Sequence, residues 1–556
     1  MGTPMSEPTN ADPNQDPDGD DPRADLRWGT IAAAVQDAVA RGEDKEAIVD
    51  GDRNWTWAQL GSEIDRAAKA FMAAGIEIGD RVAIWAPNCG EWVVALLGLQ
   101  SAGGVLVPLN TRYKGAEAAD ILGRSRAKIL VSVDGFLGNH YVGMLEGEDL
   151  PHLEQILLVR TDESDPIAAS ATRWEDFLSS QAAGEVTDEE LDSRRAEISP
   201  SSVADLLFTS GTTGKPKGVI CTNEQTLRTV GTWANVVGLN ETDRYLAINP
   251  FFHSFGYKAG IIAWLVTGGV LVPMPVFDVP EAMRLIAEQA ITMLPGPPTL
   301  YQTILNHPDR AELDSSSLRL AVTGAASVPV SLVEQMRTDL GFNTVITAYG
   351  LTEGCGFATM CRRSDSVETI ATTSGRAMPG IEVRVAADNG EEMPAGEAGE
   401  VLVRGYNVMK AYFENPQATA ETIDSDGWLH TGDVGVMDNN GYLRITDRIK
   451  DLFIVGGFNA YPAEIENLLL NHPMIAQVAV VGVADERMGE VGAAFVVAVD
   501  GTNPQPDEIV AWAREHMANY KVPRHVQIVD ALPFNPGGKV MKFVLRDQLA
   551  AAEEAR

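Results

Sequence analysis

Residues 209–218 read TSGTTGKPKG. Gly211, Gly214 and Gly218 allow a backbone turn in which several N–H groups point toward one spot. The hydroxyls of Thr209, Ser210, Thr212 and Thr213, with the ammonium groups of Lys215 and Lys217, add donors and charge. That combination suits a polyphosphate. β-prone runs at 204–208 and 219–221 flank the segment, so it should be a tight loop between strands. It is not a Walker A loop, because Pro216 follows Lys215 where G-x4-G-K-[ST] requires a hydroxyl residue. A glycine hairpin with two solvated lysines would use the same residues, and the loop alone does not separate the two readings. His253 is equally two-sided. Set among Phe251, Phe252 and Phe255, it can be a working imidazole or a satisfied core histidine.

Charge narrows the field. With 43 Lys and Arg against 78 Asp and Glu, the chain carries a formal −35. Such a surface repels phosphate backbones and anionic lipid, which argues against a nucleic-acid partner. A nucleotide pocket must then supply its own local cations or recruit a metal ion. The four cysteines (Cys89, Cys221, Cys355 and Cys361) form no CxxC pair, and the eight histidines include no HExxH. Neither a disulfide framework nor a zinc site is supported, and a reducing cytoplasm is the expected setting. Residues 1–25 have the polar, Pro/Asp/Asn-rich composition of a solvated tail and lack the basic and apolar stretches of a signal peptide. The uncharged run 259–277 approaches spanning length, but Gly268, Gly269, Pro273 and Pro275 break it. A buried helix, a glycine turn and a short strand are expected there, not an integral membrane segment.

These groups need a frame. Apolar spacing predicts a helix over 55–74, stopped by Gly75, and another over 91–102. Short β-prone runs alternate with such helices at 81–85, 105–109, 129–133, 156–159, 204–208, 245–248, 270–272, 293–295, 320–322 and 345–348. That alternation implies a layered α/β body with helices covering buried sheets. Residues 162–200 turn polar and read as a surface excursion. Beyond 375, short strands between Gly and Asn turns suggest a small β-barrel or a distorted sheet. From 450 onward a compact α+β unit is expected, with helices at 463–471 and 507–518, strands at 476–482, 493–499 and 525–529, and a closing helix after Lys542.

Seven segments, in order along the chain, carry a family resemblance: TSGTTGKPKG (209–218), NPFFHSFGYKAG (249–260), VTGAA (322–326), AYGLTE (348–353), GWLHTGDVG (427–435), DRIKDLFIVGGFNAYPAEIE (447–466) and NPGGKVMK (535–542). Together they resemble the adenylate-forming enzymes, and within them the acyl-CoA synthetases. The resemblance implies a large N-terminal body of two αβ sheet subdomains plus a small β-barrel over 26–446, a hinge at 447–451, and a mobile α+β domain over 452–556. It implies ATP, Mg²⁺ and the co-substrate CoA. A carboxylate would attack the α-phosphate to give acyl-adenylate and diphosphate, and the CoA thiol would then displace AMP.

The same resemblance assigns roles. Lys539 is similar to the family's mobile lysine at the α-phosphate, Glu353 to its Mg²⁺ ligand, and Thr352 to its phosphate-contacting hydroxyl. Tyr349 and Gly350 would lie on one side of adenine, with Gly324, Ala325 and Ala326 as the other wall. Asp433 would accept the ribose hydroxyls, with Arg448 adding a ribose or phosphate contact. His253 would gate the acid, Lys450 would be the pivot, and Gly456 and Gly457 would line the CoA channel.

Trp233, Phe255, Gly256, Lys258, Cys355 and Phe357 are the candidate acyl pocket. The aromatic rings suit a bulky apolar acid. Lys258 would meet a polar group on it, or be a surface or paired lysine. At subfamily level the chain is similar to actinobacterial steroid-degradation ligases acting on the methylhexahydroindanedione propanoate. A medium- or long-chain fatty acid is the alternative. Acyl transfer to a carrier protein in trans, or a non-catalytic nucleotide-binding role, are further ones; only residues 540–556 follow Lys539, so no carrier domain is expected after it. The partners expected are thus small molecules, and no residue pattern decides between a monomer and a homo-oligomer.

Overall fold

Strands of four or five residues, nearly all buried, need cover on both faces, and the chain supplies it with helices between them. The computed structural model describes residues 21–161, 168–209, 216–324, 328–387, 389–448, 451–455, 458–485, 487–517, 519–534 and 540–554. They cluster into two units: Met1–Thr323 with Val328–Ile381 and Tyr406–Pro416, and Gly324–Ser327 with Glu382–Gly405 and Gln417–Arg556.

In the first unit an eight-stranded sheet runs in the order Ala411–Tyr412, Lys217–Thr222, Val203–Thr209, Val105–Pro108, Arg81–Trp85, Ile129–Ser132, Gln155–Leu158 and Ala171–Arg173. From Val203–Thr209 to Ala171–Arg173 neighbouring strands are parallel, whereas Lys217–Thr222 returns antiparallel beside Val203–Thr209. Helix Trp57–Ala73 is opened by a capping box in which Thr56 and Gln59 satisfy each other's backbone N–H groups. It packs on helix Gly90–Ser101, and a Cβ at Gly98 would stand 2.5 Å from that of Ala67. A second sheet orders Arg244–Ala247, Val270–Pro273, Glu46–Asp50 and Arg53–Thr56. Met293, expected in a strand, makes single bridges to Tyr245 and Leu320.

Three expectations shift. Residues 21–25, assigned to the solvated tail, belong to the folded unit: Asp21 pairs with Arg228 at 2.7 Å, and Ala24 is buried at the start of helix Ala24–Trp28. Charge complementarity and one small apolar side chain suffice to hold them. The polar stretch 168–200 is more than an excursion, since Ala171–Arg173 forms the sheet's edge strand, Trp174, Phe177, Leu178 and Leu191 are buried, and Trp174 and Phe177 pack on Phe71. The run 259–277 divides as expected, at Gly268 (φ 81°) and before strand Val270–Pro273, yet Phe255–Ile262 is wound as a π-helix. No helix among the described residues is long and apolar enough to cross a membrane.

The second unit holds two sheets. Ile381–Ala386, Ala398–Gly405, Leu429–Met437 and Leu443–Arg448 follow one another across the first, with register breaks at Glu400/Leu402 and Val434/Gly435; of the two alternatives this is the distorted sheet. The other centres on the long hairpin Ile475–Asp485 and Gly489–Ala498. Its side chains alternate as a two-sided sheet requires. Val478, Val480, Ala494 and Val496 face Ile465, Ile509 and Ala513 of helices Pro462–Leu469 and Pro506–His516. Ala479, Val481, Ala493 and Phe495 face Leu545 of helix Lys542–Glu554.

Candidate active site

Thr209 ends its strand and Lys217 begins the next, the two lying opposite each other in the ladder. Residues 210–215 between them, Ser210, Gly211, Thr212, Thr213, Gly214 and Lys215, lie outside the described residues, so the cradle is seen only at its two ends. Arg124 braces the exit: its guanidinium donates to the Pro216 carbonyl at 2.7 Å and lies over the Phe208 ring. The Lys217 ammonium lies 4.8 Å from the centre of the Tyr412 ring. The Tyr412 hydroxyl in turn donates to Glu353 Oε1 at 2.8 Å. Tyr412 and Arg124 were not legible as site residues, because each meets the loop only through sheet pairing or a long side chain.

Glu353 sits in a single 3₁₀ turn, Thr352–Gly354, which follows strand Thr344–Tyr349 after Gly350 and Leu351. The turn must fold back tightly. A Cβ at Gly350 would lie 2.0 Å from the Gly356 carbonyl oxygen, so no larger residue fits without backbone movement. Cys355 closes the turn in the left-handed region at φ 53°. Glu353 is further held by its own carbonyl, which accepts from the Met409 N–H at 2.8 Å.

The aromatic candidates converge. Trp233 stacks on Phe357 with centroids 5.5 Å apart, and Phe255 meets both edge-on at 6.3 and 6.0 Å. Trp233 and Phe357 are fully enclosed; Phe255 is half-buried beside exposed His253. His253 Nδ1 accepts from the Phe255 N–H at 3.2 Å, which orients the ring at the mouth of the π-helix. Gly256 is needed there because a Cβ would lie 2.0 Å from the Pro250 carbonyl oxygen.

Lys258 is the paired lysine of the sequence alternatives. It is wholly buried, with its ammonium 3.4 Å from the Asp205 carboxylate and 3.0 Å from Cys355 Sγ. Burial pushes the Asp205 carboxyl up, to about 6, against the downward pull of Lys258. Burial also works against the Cys355 thiolate, but hydrogen bonding with Cys221 and the Lys258 charge overcome it and bring the thiol down to about 5. Four elements supply its ionisable groups: the strand entering the loop, the strand leaving it, the Glu353 turn and the π-helix Phe255–Ile262.

In the second unit Asp433 is buried on strand Leu429–Met437, directly opposite Arg448 in the antiparallel ladder. The turn before it is fixed from several sides. Glu400 accepts from the Gly432 N–H at 3.1 Å and contacts His430 Nδ1 at 2.8 Å, while Thr431 donates to the Val401 carbonyl at 2.7 Å. Gly432 adopts φ 69°, which favours glycine. Glu400 fixes the turn before Asp433 and was not legible in the sequence; an acidic residue 33 positions before Asp433 carries no signal of its own. Gly324 ends strand Leu320–Gly324. Ala325, Ala326, Lys450, Gly456, Gly457 and Lys539 lie outside the described residues.

The AMP-binding enzyme family profile matches residues 35–413, and that of the AMP-binding enzyme C-terminal domain matches 464–539. The chain belongs to the AMP-binding enzyme family. Two relatives, from Rhodococcus jostii and Mycobacterium tuberculosis, are each named 3-[(3aS,4S,7aS)-7a-methyl-1,5-dioxo-octahydro-1H-inden-4-yl]propanoyl:CoA ligase. Each is 48% identical to this chain, over 93% of it and 98% of the first protein, and over 94% of it and 99% of the second. Among solved structures, an anthranilate CoA ligase in complex with anthranoyl-AMP superposes with a TM-score of 0.83 at 28% identity, covering 94% of this chain and 98% of that one. This AMP-binding enzyme is an acid–thiol ligase that uses ATP and CoA. Its layered body and α+β C-terminal part are those of the adenylate-forming enzymes.

Proposed function

We propose that this ligase activates a bulky bicyclic propanoate bearing two ring ketones, the acid named for its 48%-identical relatives, and that it serves steroid degradation in the cytoplasm. The observation that carries the substrate is the Trp233–Phe255–Phe357 cluster beside His253, a set of rings suited to a compact alicyclic acid.

The chemistry follows from placing positive charge where one anion attacks another. The loop 209–218 holds the β- and γ-phosphates, with Lys217 fixed over Tyr412 at its exit. Glu353, with one carboxylate oxygen oriented by Tyr412, would hold a Mg²⁺ ion through a hard carboxylate oxygen. Bound there, the ion would neutralise phosphate charge. Among the described residues no cluster of three or more His, Cys, Asp or Glu competes for it. Asp433 accepts the two ribose hydroxyls and Arg448 adds a contact beside it; Tyr349 and Gly350 lie against adenine, opposite Gly324, Ala325 and Ala326. Thr352 reaches a phosphate. Lys539 contacts the α-phosphate and the attacking carboxylate, then leaves as the 452–556 domain turns about Lys450 in the 447–451 hinge. The thiol of CoA enters past Gly456 and Gly457. His253 gates the acid and is not its base, since the acid is already ionised near neutral pH.

The test is mass-spectrometric detection of thioesters after incubation with Mg-ATP, CoA and a panel of acids. One dominant thioester of the dioxo bicyclic acid supports the reading. Preference for linear fatty acids keeps the ligase and discards the substrate. Acyl-adenylate without any thioester points to a carrier protein as acceptor.

A further inference from the structure

Helix Asn223–Val237 presents Thr226, Thr229 and Trp233 at spacings of three and four, hence on one face. That face fronts the segment Cys355 to Phe357. Thr226 Oγ1 lies 3.8 Å from Cys355 Sγ at one end, and Trp233 stacks on Phe357 at the other. Thr229 sits between them.

Two polar groups on this face are unsatisfied. Thr229 Oγ1 and Trp233 Nε1 are fully buried and make no hydrogen bond. For Thr229 this is unusual, because a helical threonine can donate to the carbonyl four residues back. Thr267 does so to Ala263 at 2.8 Å and Thr303 to Thr299 at 2.7 Å. The indoles of Trp57 and Trp92 are also unpaired, and they pack on Trp264 and Phe251, rings outside the proposed acyl pocket. That of Trp233 lies among the rings beside His253. A third orphan, the buried Ser254 hydroxyl, follows His253 directly, at 3.0 Å from where a Gly356 Cβ would stand. Buried polar groups are ordinarily hydrogen-bonded. An alkyl chain lying here would leave these donors desolvated and unpaired. An acid with oxygen on its rings would satisfy them.

We propose that Thr229 Oγ1 and Trp233 Nε1 are specificity-determining donors to the ring carbonyl oxygens of the acid. This rests on the substrate reading above. It explains how an aromatic enclosure can prefer an oxygenated bicycle over a hydrocarbon of the same shape, since a site with committed donors rejects a ligand that lacks the acceptor.

The test compares kcat/KM for the dioxo acid with that for the same carbon skeleton lacking both ring oxygens. Wild type should favour the dioxo acid. In Thr229→Val, and separately in Trp233→Phe, the ratio of the two values should fall about tenfold. The loss should lie in KM for the dioxo acid more than in kcat. Thr229→Val is nearly isosteric and decides the matter alone should Trp233→Phe fail to fold. A ratio within twofold of wild type in Thr229→Val overturns the inference and leaves the substrate reading standing. Failure of the wild type to form the dioxo thioester at all overturns both.

Discussion

The Lys258 ammonium lies 3.4 Å from the Asp205 carboxylate, and neither side chain has any exposure to solvent. Asp205 stands on the strand that leads into the glycine-rich loop, and Lys258 on the π-helix that starts beside His253. One ion pair therefore ties the strand that leads into the glycine-rich loop to the π-helix beside the proposed acyl pocket. Its energetic signature is asymmetric. Removing either partner unbalances the charges left in a low-dielectric interior, whereas removing both takes out one charge of each sign together. Lys258→Met and Asp205→Leu should each destabilise the protein by about 3–5 kcal/mol. The double variant should recover most of that. Calorimetric Tm values for the four proteins test this, and additive losses would show that the two charges do not interact.

Tyr412→Phe removes the hydroxyl that orients Glu353 and keeps the ring beneath Lys217. The expected result is a several-fold rise in the Mg²⁺ concentration needed for half-maximal diphosphate release, with Tm changed by no more than a few degrees. A Mg²⁺ dependence identical to wild type would separate Glu353 from the metal.

Glu400→Leu frees the Gly432 N–H and His430 while leaving Asp433 in place. If that turn positions Asp433 for the ribose, KM for ATP should rise about tenfold while KM for the acid stays near its original value. Asp433→Ala should raise it further. Equal effects on both substrates would mean that the turn serves the fold alone.

Lys539→Ala should abolish acyl-adenylate formation yet retain most thioester formation from supplied acyl-adenylate and CoA. Equal loss of the two half-reactions would contradict a lysine that acts in the first step and then withdraws. Stopped-flow measurement of each half-reaction separates these outcomes.

The local chemistry and the class of protein are legible from residue order alone. The decapeptide 209–218, the Thr352–Glu353 pair after Tyr349, the HTGD turn and the order of seven segments need only neighbours along the chain to be recognised. The helix at 57–73 and the two-sided hairpin Ile475–Asp485 and Gly489–Ala498 likewise follow from periodicity, whereas the helix at 90–101 is buried on every side and shows as a largely apolar run. Tertiary structure decided the rest. Whether Lys258 faced substrate, solvent or a carboxylate depended on Asp205, 53 residues away. Glu353 is oriented by Tyr412 from the edge strand Ala411–Tyr412, and Gly432 by Glu400 across a sheet; no periodicity announces either contact. The π-helical winding of Phe255–Ile262 was equally invisible, since its composition reads as an ordinary buried helix. Residues 21–25 belong to the folded unit because Asp21 is held by Arg228, which no reading of a polar tail could supply. Residue types disclose which chemistry is available; which groups are satisfied, and which stay unpaired for a ligand, is a property of packing between segments far apart in the chain.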